Sequence, residues 1–97
     1  MIRKNLNSFD EVAYFLKNER VTLYNLVLNG VKDCLENDID SLLLAEFNIL
    51  EENIVFKIDM DKKDWVESLL LALKFFEETE EYEKCIEVNE LITKLDV

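Results

Sequence analysis

The sequence predicts a mainly helical α+β domain, and three observations carry that expectation. Apolar residues recur at helical spacing from Leu23 to Leu35. Residues 54–59 alternate apolar and polar side chains at a period of two. Asp61 to Leu95 reads as two amphipathic helices around an acidic turn. The expected order is two N-terminal helices, a β-hairpin over about residues 42–59, then a C-terminal helical hairpin. An all-α helical bundle is the alternative, because residues 41–52 are rich in the good helix formers Leu, Ala and Glu. With 97 residues and 49% hydrophobic composition, the chain suits one small domain over 1–97 with a modest core.

Met1 to Asn7 is expected to be a short extended arm. Ser8-Phe9-Asp10-Glu11 has the form of a capping box, in which Ser8 accepts from the backbone three residues on and Glu11 reaches back. The helix it opens runs to about Asn18, with Phe9, Val12, Ala13 and Leu16 on its apolar face and Phe15 beside it. The pattern loses register at Asn18-Glu19-Arg20, which predicts a break. Leu23, Leu26, Val27, Gly30, Val31, Cys34 and Leu35 then form one helical stripe. Asn29-Gly30 is a competing turn signal, outweighed by the seven matched positions. Gly30 on a buried stripe costs about 1 kcal/mol against alanine, which makes sense where another element comes close.

Asn37 to Asp40 ends that helix. Ile54, Phe56 and Ile58 alternate with Val55, Lys57 and Asp59, the mark of a half-buried strand. Leu43, Ala45, Phe47 and Ile49 mirror it with Glu46 and Asn48 outward, and Leu50 to Asn53 forms the turn. A lone hairpin is marginal in water, so it must lie on the helices or pair with a copy of itself in a homodimer. Asp61 is expected to cap the next helix. There Trp65, Leu69, Ala72, Leu73 and Phe76 make one face, and Val66, Leu70, Leu71 and Phe75 widen it until the helix reads as central. Glu77 to Glu81 is the turn, because like charges crowd there. The last helix runs from about Glu80 to Leu95 with a seam of Tyr82, Cys85, Val88 or Ile86, Leu91, Ile92 and Leu95. Trp65, Phe75, Phe76 and Tyr82 are expected in the core. Tyr14 and Tyr24, near the edges of the early helical faces, are expected to make an exposed or interfacial contact, since tyrosine tolerates half-burial.

Tyr82-Glu83-Lys84-Cys85-Ile86-Glu87 resembles the start of the second helix of a tetratricopeptide repeat, and Leu69 to Glu78 would be the helix before it. The likeness covers one unit and departs from the pattern at Leu73 and Cys85. It implies a tight helical hairpin and assigns no functional residue.

The formal net charge is −11, and it is uneven. Residues 1–30 hold four basic and three acidic side chains, for +1. Residues 31–97 hold seven lysines and nineteen acids, for −12. Phosphate repels such a surface, so nucleic acid and anionic membranes are disfavoured as direct partners, and a protein with a basic surface is favoured. Cys34 and Cys85 lie far apart in apolar helical patterns and read as buried, reduced thiols. The absence of a signal-like or membrane-spanning apolar run leads to an expected cytoplasmic location. Many Asn, Lys, Ile and Glu residues suit an AT-rich bacterial or phage genome.

No catalytic group stands out. Histidine is absent, which removes the usual general base and the commonest metal ligand. Asp59-Met60-Asp61-Lys62-Lys63-Asp64 begins like a calcium loop, but Lys63 and Asp64 occupy positions that such a loop reserves for a ligand and a glycine. A strand end followed by a helix cap is the expectation. No enzyme activity, cofactor or metal is therefore expected. The distinctive feature is an acidic ridge of Glu77, Glu78, Glu80, Glu81, Glu83, Glu87 and Glu90. It is either a solvated face or a docking surface. These features point to a non-enzymatic protein–protein interaction module, a small adaptor or regulatory protein. The alternative is an acidic inhibitor that blocks a basic nucleic-acid-binding groove on its target.

Overall fold

The computed structural model describes residues 1–95. The chain runs β1 (Ile2–Leu6), α1 (Phe9–Asn18), α2 (Arg20–Glu36), β2 (Ser41–Ile49), β3 (Ile54–Asp61), a 3-10 turn (Lys62–Asp64), α3 (Trp65–Glu78) and α4 (Tyr82–Leu95). The domain is α+β and mainly helical, in the expected element order. Residues 42–59 form the hairpin, not the helix of the all-α alternative.

The expected N-terminal arm is instead a strand. β1 pairs parallel with β2, with Ile2 opposite Ala45 and Leu6 opposite Ile49. β2 and β3 are antiparallel, and the sheet order is β1-β2-β3. A parallel pair needs a crossover connection, and α1 with α2 supplies it. The central strand is the most apolar: Leu44, Ala45, Phe47 and Ile49 are buried. Only Ile2 and Leu6 of β1 are half-buried, too sparse a pattern to mark a strand from sequence.

A β-bulge between Leu43 and Ala45 breaks the β2–β3 register. Two residues then oppose one, and the strand bends. The adjacent side chains of Leu44 and Ala45 are both buried as a result, in different halves of the core. Ala45, Phe47 and Ile49 pack with Val12 and Phe15 of α1. Leu44 packs with Val27, Val31, Trp65, Phe76 and Val88 of the helical half. Ile58 touches both halves. The expected inward set is right for Ala45, Phe47 and Ile49. It fails at Leu43, which lies opposite Asp59 and belongs to neither half.

The expected capping box does not form, because Glu11 reaches past Ser8 to the residue before it. The Ser8 side chain makes no cap bond, and the Asn7 N–H donates to the Glu11 carboxylate at 2.6 Å. The buried face of α1 is Val12 and Phe15, while Phe9 and Ala13 are exposed. Phe15 meets Phe47 edge to face at 5.6 Å, so the sheet selects a stripe rotated from the one with most apolar side chains. On α2, Val27, Val31 and Cys34 are buried as the stripe implies. Leu28, outside it, is buried as well.

On α3, Trp65, Leu69, Ala72 and Phe76 are fully enclosed. Leu70 and Leu71 are more than half exposed, so this helix is not covered all round. It packs on α2 and α4, and its outer flank stays open. The Trp65 indole N–H donates to the Met60 carbonyl at 3.1 Å and ties the start of α3 to the end of β3. On α4, Cys85, Val88 and Leu91 are buried, with Ile92 and Leu95 half-buried. Tyr82 and Ile86 point outward. No helix is long and apolar enough to cross a membrane among the described residues.

Candidate functional site

The acidic ridge falls on the α3–α4 hairpin. Glu77 and Glu78 close α3, Glu80 and Glu81 form the turn, and Glu83, Glu87 and Glu90 rise along α4. Glu87 is half-buried and the other six are exposed. Among the described residues, Glu87 alone of the seven makes an ion pair, with Lys32 of α2 at 3.0 Å. Glu87 thus fastens α4 to α2 and drops out of the free carboxylate set. Lys84 is also occupied, with its ammonium 5.5 Å from the centre of the Phe76 ring.

The turn has a specific geometry. The Glu81 N–H donates to the Phe76 carbonyl at 2.8 Å, and the Glu80 N–H donates to the Glu77 carbonyl at 3.2 Å. This is the pair of bonds of a Schellman helix end, whose key residue adopts a left-handed backbone and is usually glycine. Here it is Glu80, at φ 60°. The other positive-φ residues are Asp38 and Asn53, types that tolerate this region well. Glutamate does not share that tolerance, so a carboxylate is held here at a cost in backbone strain.

Next to the turn lies an exposed apolar pair. Tyr82 is 63% exposed and Ile86 60% exposed, four residues apart on one helix face. Glu83 and Glu90 stand three residues before and four after Ile86, positions that share its face. A shallow depression beside them is lined by Ile86, Asn89, Glu90, Thr93 and Lys94. The aromatic expectations divide here, and the one for Tyr82 fails. Tyr82, read as core, is outside it. Tyr24, read as an exposed or interfacial position, is half-buried with its ring 4.9 Å from that of Phe75. Tyr14 is exposed.

The remainder of the molecule offers little for chemistry. Every buried side chain in the described residues is apolar. No three His, Cys, Asp or Glu side chains among them gather to hold a metal ion. Asp61 and Asp64 stand at the starts of the 3-10 turn and of α3, without side-chain cap bonds. Lys62 instead pairs with Asp40 at 3.8 Å. A groove of about 320 Å³ opens between α2, α3 and β3, lined by Leu23, Tyr24, Val27, Ile58, Met60 and Leu71. Its walls are mainly apolar, with Arg20 and Ser68 as the polar members, and Ser68 donates to the Met60 sulfur at 2.9 Å.

Cys34 and Cys85 are free and buried. Burial pushes both thiols above the ordinary value. Asp33 raises Cys34 further. Glu77 raises Cys85 further, and a hydrogen bond to the Cys85 backbone partly offsets that rise.

Comparison with known proteins finds no family model, no curated protein and no solved structure that matches this chain. The α3–α4 hairpin has the helix–turn–helix form that the tetratricopeptide likeness implied, without a family match behind it.

Proposed function

We propose that this protein is a non-enzymatic interaction module that docks on a protein with a basic surface through the outer face of α4 and the α3–α4 turn. The observation that carries the reading is the exposed pair Tyr82 and Ile86, flanked by Glu83 and Glu90, which make no ion pair among the described residues. Apolar side chains at the centre of a contact supply affinity, and surrounding charge supplies orientation and partner choice. Glu80 supports it as well. A residue kept in a strained conformation where glycine fits better is a reason to look for function. A cytoplasmic setting fits the two free thiols.

The test is affinity capture from the native source with the full chain as bait, followed by the same capture with the double variant Tyr82→Ser/Ile86→Ser. Both side chains lie outside the core, so the variant keeps its thermal midpoint. The expected result is loss of the captured protein. Undiminished capture would sink the α4 reading. The second reading, a carboxylate mimic in a basic nucleic-acid groove, draws on the same free glutamates. It requires binding that weakens steeply as salt rises and survives the Tyr82/Ile86 change.

A further inference from the structure

β3 forms one edge of the sheet, and it is open. Its eight residues include neither proline nor glycine, and six of them are exposed. Ile54, Val55 and Phe56 are 45%, 52% and 37% exposed. Such an edge is a template for pairing with another strand. The Lys62 N–H donates to the Asp40 carbonyl at 2.9 Å, and Met60, two residues earlier, lies opposite Leu42. Ladder bonds alternate along a strand. Even-numbered residues of β3 therefore turn their backbone groups toward β2. Val55, Lys57, Asp59 and Asp61 turn theirs to the open edge.

We infer that a second copy of this chain pairs antiparallel on that edge, about a two-fold axis through Ile58, to form a continuous six-stranded sheet. The charge pattern of β3 is complementary to itself, which argues for a second copy as the occupant, and of the possible centres on the strand only Ile58 sets opposite charges directly across without opposing like ones. A two-fold axis perpendicular to the sheet keeps each face on its own side, so one β3 residue must lie opposite its own copy. Centring on Lys57 sets two lysines against each other, and centring on Asp59 sets two aspartates against each other. Centring on Met60 twice opposes Asp59 with Asp61. Centring on Ile58 puts Lys57 opposite the second copy's Asp59, twice by symmetry, with no like charges directly opposed along the strand. Opposite charges directly across a strand pair stabilise it, and like charges destabilise it.

The same register suits the other groups. Lys57 and Asp59 both carry edge-facing backbone groups, so their pairs are hydrogen-bonded ones. On the helix-covered face, Ile58 meets its own copy and Phe56 meets Met60 of the second copy. Half-exposed apolar surface is covered in the process. A lysine in an edge strand ordinarily discourages pairing. Here an aspartate two residues on answers it, and the pair selects one register. This inference concerns the edge of β3, not α4, and does not rest on the docking reading above.

The test is sedimentation equilibrium on the full chain in the micromolar range, with four variants. Val55→Pro places the ring where the N–H faces the open edge, so no bond to β2 is lost. The wild-type chain is expected at twice its 11.5 kDa mass and Val55→Pro at the single mass. Lys57→Glu and Asp59→Lys each turn two attractive pairs into repulsive ones and weaken self-association about tenfold or more. The double swap Lys57→Glu/Asp59→Lys restores it. A wild-type monomer throughout that range, or a Val55→Pro dimer, overturns the β3 interface. A double swap no tighter than the single changes overturns the Ile58 register.

Discussion

Leu42 sits where a β-carbon on Gly30 would be: its Cδ1 lies 2.7 Å and its Cδ2 2.8 Å from that position. The missing side chain on α2 is what lets β2 lie against the helix there. The sequence showed a glycine on a buried helical stripe, and the strand that needs it comes twelve residues later. Two effects oppose each other at this site. Alanine would relieve the helix penalty of about 1 kcal/mol, but it would push Leu42 out of its place.

A double-mutant cycle separates them. In a Leu42→Ala background, Gly30→Ala is expected to stabilise the fold by about 1 kcal/mol. In the wild-type background the gain disappears or reverses. Urea unfolding of the four proteins measures the coupling. Equal effects in both backgrounds would mean that Leu42 swings aside freely.

The turn residue Glu80 supplies a second prediction. Glu80→Gly removes the left-handed strain and is expected to raise stability by roughly 0.5–1 kcal/mol, because the φ of 60° there suits glycine. If the turn is part of the docking surface, the same change weakens partner capture. Thermal melts and capture read the two effects separately, and a destabilised Glu80→Gly protein would contradict the Schellman geometry.

Two aromatic residues that look alike in sequence should behave differently. Trp65 is fully buried and hydrogen-bonded to Met60, so Trp65→Ala should cost about 3–5 kcal/mol. That is a large share of what a domain of this size has. Tyr82→Ala should stay within about 0.5 kcal/mol. Chemical denaturation of both variants decides it, and a large loss at Tyr82 would place that ring in the core.

The thiols set a limit at alkaline pH. Both folded-state values lie above that of a free thiol, through burial first and neighbouring carboxylates second. Below the unfolded value both states hold the proton, and stability is unaffected. Above it the unfolded chain ionises first, so unfolding is favoured as pH climbs past about 9. Stability measured at rising pH should fall for the wild type, and less steeply for Cys34→Ala/Cys85→Ala. Matching slopes would remove the thiols as the cause.

The sequence by itself determined most of the element order and the helical half of the core. Trp65, Leu69, Ala72 and Phe76 recur at a strict helical interval, and such a stripe has one way to be buried. The hairpin was legible because Ile54 to Asp59 alternates at a period that no helix satisfies. The acidic ridge was legible as a run of glutamates, though not that Glu87 would be taken up by Lys32.

Tertiary structure alone decided the rest, and in each case the cause lies in residues distant along the chain. Ile2–Leu6 is a strand because β2 offers it an edge, and five residues with two apolar ones carry no period. Leu44 and Ala45 are both buried because the bulge breaks the alternation from which Leu43 was read as inward. Tyr82 and Ile86 are outside because α4 has one neighbouring surface and more apolar positions than that surface covers. Periodicity reports which side chains share a face. Which face is covered depends on what packs against it.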